Sequence, residues 1–457
     1  VIGLVCMKIE LENIGLVEKA EIAIDGISVI AGENGSGKST IGKALFSTFN
    51  GFFNLNEKVN QARMVSIRNI VNDFVNQNCE VDFSLQLDFS TKIAEGILNK
   101  RDSFVKDSSS LKKFIFESLK NFSDRHEVDE NEDDAKDEIE TFLPKIQRSL
   151  SFSNLEIKEK ILQDQLNEEF DHQVLNFNKK NENGVISLVV KNKPLKMLVS
   201  NDSVGGDVAV KIEDEIDLLH EVVYFDSPSV LDDLDNALSR YKAKTGLSAF
   251  LSMGNRFRPG FSNHFKHSDV LKKQLKRDVS RDPIKEMLTN EKLREILENI
   301  NKAAPGNLSQ SEDKYFYSAN GNKVNIFNVS SGMKTFITIK RLLALGVLKE
   351  QSLMILDEPE VHLHPEWQVL FAKIIVLIQK TFDVNFLINT HSPYFMEAID
   401  VYASKFDIRP KVKYYLSSKN ESGNVNVEDV SNCLEKAYSH LARPFQDLEN
   451  IRYGNGI

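Results

Sequence analysis

The run Gly32-Glu33-Asn34-Gly35-Ser36-Gly37-Lys38-Ser39-Thr40 gathers glycines, a lysine and adjacent hydroxyls in one short stretch. Glycines at 32, 35 and 37 permit a tight loop whose backbone N–H groups converge on phosphate oxygens, helped by the positive end of a following helix. Lys38 is a point charge suited to β- and γ-phosphates, and the Ser39 hydroxyl is suited to Mg²⁺. Much later in the chain, Leu353-Met354-Ile355-Leu356-Asp357-Glu358-Pro359 is an apolar run ending in two carboxylates. Asp357 is placed to hold Mg²⁺ through its water shell, and Glu358 to polarise an attacking water. These two clusters predict a P-loop site for ATP and Mg²⁺ with Glu358 as the catalytic base.

Each cluster needs elements to position it. Ile27–Ala31 reads as a buried strand feeding the glycine loop, and Ser39–Phe49 as the helix behind it. Upstream, Ile9, Leu11 and Ile14, then Ala20, Ile22 and Ile24, alternate as a short antiparallel pair. Ser352–Leu356 is expected as a strand, Pro365–Lys380 as a helix and Asn385–Asn389 as a further strand, with Thr390-His391-Ser392 directly after it. Between these ends, residues 60–78 read as helix and Glu80–Phe89 alternates like a half-buried strand. Residues 91–180 are charged, with apolar residues at helical spacing, and the acidic run Glu127–Glu140 reads as a solvated face or loop. A strand pair follows (Val185–Val190, Leu195–Val199), then a turn at Gly205-Gly206 and a buried strand, Val222–Phe225, ending at Asp226-Ser227-Pro228. Residues 229–300 are again helical and hold the most basic stretch. Arg256, Arg258, Lys266, Lys272, Lys273, Lys276, Arg277 and Arg281 there face only Asp269 and Asp278. That stretch could grip DNA phosphates; a solvated face or a partner-protein surface is the plainer reading. The fold class is α/β, a mixed sheet flanked by helices with a helical insertion.

The segment Val329-Ser330-Ser331-Gly332-Met333-Lys334 resembles the signature of ABC ATPases, usually written LSGGQ. Ser330 and Gly332 agree, whereas Val329, Ser331 and Met333 replace Leu, Gly and Gln. In that family the segment reaches across a dimer to the γ-phosphate held by the other copy. The resemblance therefore implies that Ser330, Ser331 and Gly332 contact ATP in trans, and that His391 is the switch histidine at the γ-phosphate. A lone histidine is otherwise more often structural. Val361-His362-Leu363-His364 would be the loop crossing the interface. A zinc reading of His362 and His364 lacks a third ligand nearby. The residues do not place the glutamine that family members use beside the nucleotide; Gln86 and Gln61 are candidates for it.

The run from Asp357 to Pro365, with Gln368 following, looks like the DEPExHLHPxxQ pattern of OLD-like and related AAA15-type ABC ATPases, as does Asn389-Thr390-His391-Ser392-Pro393. Asp400, Asp407 and Asp429 form no DxD pair of the kind OLD nucleases use, so no intrinsic nuclease is expected. The helical segments are too short for the heptad arm of chromosome-maintenance ATPases. Tyr224-Phe225-Asp226-Ser227-Pro228 and Tyr438–Glu449 are most similar to the ATPase (PtuA) family of the Septu anti-phage systems and its retron relatives. That resemblance implies a homodimer across shared ATP sites, with room for a higher oligomer. It also implies a partner HNH endonuclease (PtuB-like) regulated by subunit arrangement, and DNA met through the complex. The alternative is a recombination-type DNA-repair ATPase acting directly on DNA.

The resemblance divides the chain into several expected parts. Residues 1–90 and 311–400 form the two parts of an ABC head, and 91–180 the helical insertion. Residues 181–228 return strands to the head, 229–310 form a basic helical arm, and 401–457 a partner- or oligomer-binding tail. A net charge of −10 over 457 residues argues against a surface built throughout to coat nucleic acid. The cysteines Cys6, Cys79 and Cys433 are too few and too spread for a disulfide framework and read as reduced thiols. The start of the sequence lacks a signal-peptide pattern, and no stretch approaches the roughly 18 apolar residues that span a bilayer. A cytoplasmic protein without membrane contact is expected.

Overall fold

The computed structural model describes residues 7–78, 83–126, 132–179, 182–201, 207–216, 218, 220–234, 266–277, 283–311 and 314–453. Cys6, Cys79, the Gly205-Gly206 turn, Arg256, Arg258, Asp278, Arg281 and residues 127–131 of the acidic run lie outside the described residues. The chain divides into two compact units. Among the described residues the first lies within 7–53, 162–234 and 266–453, and the second within 54–161.

The first unit is built on an eleven-stranded mixed sheet. Its N-terminal strands are β1 (Met7–Ile14), β2 (Val17–Ile24) and β3 (Ile27–Ala31). The middle of the chain adds β4 (Gly184–Val190), β5 (Lys193–Asn201), β6 (Val208–Asp214) and β7 (Val222–Phe225). A small separate sheet holds β8 (Asn307–Ser311), β9 (Lys314–Ala319) and β10 (Asn322–Asn325). The main sheet is completed by β11 (Leu353–Asp357), β12 (Asn385–Thr390), β13 (Val412–Lys419) and β14 (Val425–Asp429). The order across it is β6-β5-β4-β1-β2-β14-β13-β3-β12-β11-β7.

Two regimes meet in this sheet. From β13 through β3, β12 and β11 to β7 every pairing is parallel. Strands covered on both faces must be apolar throughout, and β3 and β12 are accordingly buried at every position. From β6 to β2 the pairings are antiparallel, and β1 and β2 show the half-buried alternation that such strands carry. Strand β14 joins the two regimes, antiparallel to β13 and parallel to β2.

Helices α1 (Lys38–Phe52), α8 (His267–Leu275), α9 (Pro283–Ala303), α10 (Ser331–Ala344), α11 (Pro365–Phe382), α12 (Pro393–Lys405) and α13 (Leu434–Tyr453) belong to this unit. Leu342, Phe371, Ile375 and Phe395 from α10, α11 and α12 pack with Val29, Met354 and Ile388 in one apolar core. Residues 412–419 and 425–429, grouped by sequence with a C-terminal tail, are sheet strands, and β13 lies directly beside β3.

The second unit is helical. Its helices are α2 (Leu55–Asn78), α3 (Phe83–Asn99), α4 (Arg101–Lys106), α5 (Ser108–His126) and α6 (Glu132–Ser151); α7 (Asn154–Glu169) crosses the boundary at 161. Ile67, Phe74, Ile97, Leu119 and Ile146 sit in its own core. The strand expected over Glu80–Phe89 is corrected here, because residues 83–89 open α3. Leu85 and Leu87, which made the alternation, are 43% and 37% exposed, while Gln86, Ser90, Ile93 and Ala94 form the buried stripe at helical spacing. Gln86 donates to the Asn72 carbonyl (3.2 Å) and Gln61 to Glu57 (3.3 Å), each within this helical unit. Among the described residues no helix is long and apolar enough to cross a membrane.

Candidate functional site

The glycine loop leaves β3 and turns into α1 through two left-handed residues, Gly35 (φ 74°) and Gly37 (φ 77°). Only glycine takes that conformation without strain, and Gly37 is the residue that starts the helix. Gly32 has a different reason: a Cβ there would lie 2.5 Å from the Ser417 carbonyl and 2.7 Å from Ser36 Oγ. Ser417 Oγ, on β13, donates to the Ser36 carbonyl. The C-terminal strand therefore forms one wall of the loop.

Lys38 is 3% exposed, and its Nζ donates to the carbonyls of Gly32 and Glu33, each at 2.9 Å. The same Nζ lies 3.6 Å from Glu358 Oε1. Glu358 follows β11 with a left-handed backbone (φ 49°), uncommon for a residue with a side chain, and its N–H donates to the Asn389 carbonyl at 2.9 Å. His391, at the end of β12, places Nδ1 3.6 Å from that same Glu358 Oε1. Ser39 and Asn34 are exposed and Thr40 half-buried at the loop's mouth.

Asp357 is held from two sides. Its Oδ1 accepts from Asn389 Nδ2 at 2.9 Å and its Oδ2 from the Tyr224 hydroxyl at 2.9 Å. Asn389 Nδ2 also donates to the Lys38 carbonyl at 3.1 Å, tying β12 to the first turn of α1. Burial in the sheet, with Asp357 next in importance, pushes the Tyr224 phenol far above its ordinary value, so it stays a donor.

Glu360 is 2% exposed and organises the segment that carries His391. Its Oε1 accepts from Thr390 Oγ1 and from the His391 N–H (3.1 Å). Loss of hydration raises its pKa, against the opposing pull of these donors. Gln368 donates to the Glu360 and Leu363 carbonyls and accepts from Ser392 Oγ at 3.1 Å, joining α11 to the start of α12.

Ser330 and Ser331 are exposed at the N-terminus of α10, and Gly332 is buried. A Cβ on Gly332 would stand 2.8 Å from the His362 carbonyl and 3.2 Å from the Trp367 ring. Among the described residues no hydrogen bond or ion pair joins Ser330, Ser331 or Gly332 to Lys38, Asp357, Glu358 or His391. Lys334, one turn on, is buried and pairs with both Asp232 oxygens at 2.7 and 3.0 Å. His362 and His364 are exposed, and no metal-holding group of His, Cys, Asp and Glu occurs among the described residues.

The structure thus brings together Gly32, Asn34, Gly35, Ser36, Gly37, Lys38, Ser39 and Thr40 with Asp357, Glu358 and His391. It leaves Ser330, Ser331 and Gly332 on a helix end that these contacts do not reach. Four residues at the centre were not foreseen: Asn389, Tyr224, Glu360 and Ser417. The signal for Asn389 and Tyr224 was faint, a polar side chain at the end of an apolar strand. In the basic stretch, Lys266 pairs with Asp171 (2.6 Å), Lys272 with Asp233 (3.2 Å) and Arg277 with Glu221 (2.7 Å). Much of its described charge is neutralised within the unit.

Several buried polar atoms here have no hydrogen-bond partner among the described residues: Ser36 Oγ, Asn389 Oδ1, Glu360 Oε2 and His391 Nδ1. Buried polar groups are normally satisfied; of these atoms only Ser36 Oγ lies in the glycine loop, where an open hydroxyl beside Lys38 Nζ fits a phosphate chain.

The family model described as AAA ATPase domain (AAA15) matches residues 7–396. The retron Vc95 probable ATPase of Vibrio cholerae serotype O1 biovar El Tor is 29% identical over 146 residues, 29% of this chain and 28% of that protein. The retron Ec83 probable ATPase of Escherichia coli is 32% identical over 92 residues, 18% of this chain and 16% of that protein. The match thus spans less than a third of the length of either relative. Among solved structures, the SMC head bound to the C-winged helix domain of ScpA aligns with a TM-score of 0.42 and 12% identity, covering 94% of this chain and 99% of that one. The SMC head domain from Thermotoga maritima aligns at 0.37, with 12% identity over 93% of this chain and 98% of that one. Scores this low decide nothing, and the fold rests on the strand order itself.

Proposed function

We propose that this chain, which belongs to the AAA ATPase domain family designated AAA15, binds and hydrolyses ATP as the ATPase of an anti-phage defence complex. The observation that carries the reading is the convergence of Lys38 Nζ and His391 Nδ1 on one oxygen of Glu358, each at 3.6 Å. A cation for phosphate, a base for water and a switch imidazole meet there at the end of a phosphate-binding loop. The loop N–H groups and Lys38 bind the β- and γ-phosphates. Ser39 and Asp357 are the residues that would hold Mg²⁺, Asp357 through bound water; the ion neutralises charge between the β- and γ-phosphates when present. Glu358 takes the proton of the attacking water as its oxygen bonds to the γ-phosphorus and the β–γ bridge breaks. His391 reports the presence of the γ-phosphate to the segment held by Glu360.

Ser330, Ser331 and Gly332 act in trans, so two copies close two ATP sites between them, and higher oligomers build on that pair. ATP shifts the balance of subunit arrangements because it binds one of them better. The similarity to retron ATPases supports a defence role, and the sequence resemblance to Septu ATPases supports a partner HNH endonuclease regulated by that arrangement, with DNA met through the complex.

The test uses the full chain with a fluorescent ATP analogue and, where an HNH reading frame is neighbouring, the co-purified complex. Lys38→Ala is expected to abolish nucleotide binding, and Glu358→Gln to keep it while turnover falls about 10²-fold or more. Retained binding in the first variant would sink the P-loop assignment. Unchanged turnover in the second would remove Glu358 as the base. Hydrolysis by the lone chain that DNA stimulates strongly would favour a DNA-repair role instead.

A further inference from the structure

The strand β7 carries no residue of the loop, the carboxylate pair or the switch segment, yet it is bound to the centre of the site. It pairs in parallel with β11 so that Tyr224 lies opposite Ile355. Side chains two apart on a strand share a face, so Ile355 and Asp357 project to the same side as Tyr224. The phenol is long enough to run along that face, and its hydroxyl donates to Asp357 Oδ2 at 2.9 Å.

Its neighbours leave the ring no latitude. Tyr224 is 1% exposed. On α1 the ring passes Gly42, where a Cβ would lie 2.9 Å from Tyr224 Cε2 and 3.1 Å from the hydroxyl. The His267 ring meets it edge-on, with centroids 4.3 Å apart at 68°, and Phe46 lies 5.9 Å away. His267 is itself clamped: Nδ1 to Glu169 Oε1 at 2.5 Å, Nε2 to Asp226 Oδ2 at 3.0 Å, and its backbone N–H to Glu169 Oε2 at 2.9 Å. Asp226 is the residue just after β7, so strand, ring and clamp form one continuous brace.

We infer that Tyr224 is a positioning residue for the metal-holding carboxylate, fixing Asp357 in the orientation that receives hydrated Mg²⁺, with the Glu169–His267–Asp226 cluster bracing its ring. Asp357 then offers each oxygen with one lone pair engaged, Oδ1 by Asn389 and Oδ2 by Tyr224, and the other free for metal-bound water. Partners of this outer kind typically change metal affinity by about 10- to 100-fold when removed. The inference rests on the reading that Asp357 holds Mg²⁺, and the experiment separates the two.

The full chain is titrated with Mn²⁺ in the presence of ATP and the bound ion counted by electron paramagnetic resonance. Nucleotide affinity is measured in parallel with the metal chelated. Tyr224→Phe is expected to weaken Mn²⁺ binding about tenfold while metal-free nucleotide affinity stays at the wild-type value. Should that variant fail to fold, Gly42→Ala, which presses a methyl on the ring, must show the same shift. Wild-type Mn²⁺ affinity in whichever variant folds overturns the inference, as does an equal loss of metal-free nucleotide affinity. Asp357→Asn is the control for the underlying reading. Wild-type metal affinity in that variant would remove Asp357 as the metal residue altogether, whereas loss there with none in Tyr224→Phe sinks the positioning role alone.

Discussion

Glu360 shows how one buried carboxylate can set a segment that performs chemistry elsewhere. Its Oε1 receives both the Thr390 hydroxyl and the His391 N–H, and the side chain is 2% exposed. Glu360→Ala would strand two buried donors, each costing about 1–3 kcal/mol, and free the residue that bears the switch imidazole. Glu360→Gln keeps a carbonyl oxygen for them and should lose less than half as much. Urea unfolding of the two variants checks this; equal losses would show that charge, not the acceptor, is what matters at 360. At this scale the sequence was legible wherever a residue's neighbours in the chain define its job. Lys38 follows its glycines and Glu358 its strand. Tyr224, Asn389 and Ser417 work through contacts set by strand register, and a side chain's own stretch of sequence says nothing about what the adjacent strand presents.

The link between α7, β7 and α8 is the element-scale counterpart, carried by His267 between Glu169 and Asp226. Burial alone would lower the imidazole's pKa, but hydrogen bonds to Asp226 and Glu169 outweigh it and bring the value to about 9. A group raised in the folded state stabilises fully below its unfolded value near 6.5 and stops doing so as pH passes through about 9. The wild-type chain should therefore lose stability, by about 3 kcal/mol at most, between those limits. His267→Gln should show a flatter profile across the same window. Melting temperatures at stepped pH test it, and parallel profiles would mean that His267 is not charged in the fold. Elements were readable where their pattern is intrinsic, as in β3, α1, β11, α11 and β12. Glu80–Phe89 misled because its alternating Leu85 and Leu87 point outward from a helix, whose buried stripe runs through Gln86 and Ser90. Strand β13 was missed although Val412, Tyr414, Tyr415 and Leu416 mark it and are buried, whereas β14 buries only Val425 and is marked by its neighbours β13 and β2.

For the whole molecule, the separation of Ser330 from the contacts around Lys38 has a stoichiometric consequence if the sites are shared between copies. A Lys38→Ala chain and a Ser330→Arg chain would each be inactive alone. Mixed one to one, half the pairs are hybrid and each hybrid holds one intact site, so turnover should return to about a quarter of wild type. Absence of any recovery, with hybrid pairs demonstrated by differential tags, would show that the sites are not shared. The main sheet also sets when any such site can exist. The strand that launches the glycine loop, β3, is flanked by β12 and β13, formed from residues 385–390 and 412–419. During translation residues 27–39 emerge with neither neighbour made, and at about 5–20 residues per second they wait some tens of seconds for them. Nucleotide affinity should appear late and abruptly on the ribosome, once a stalled chain is long enough for residue 419 to have left the exit tunnel, which makes ATP a reporter of the completed sheet around β3.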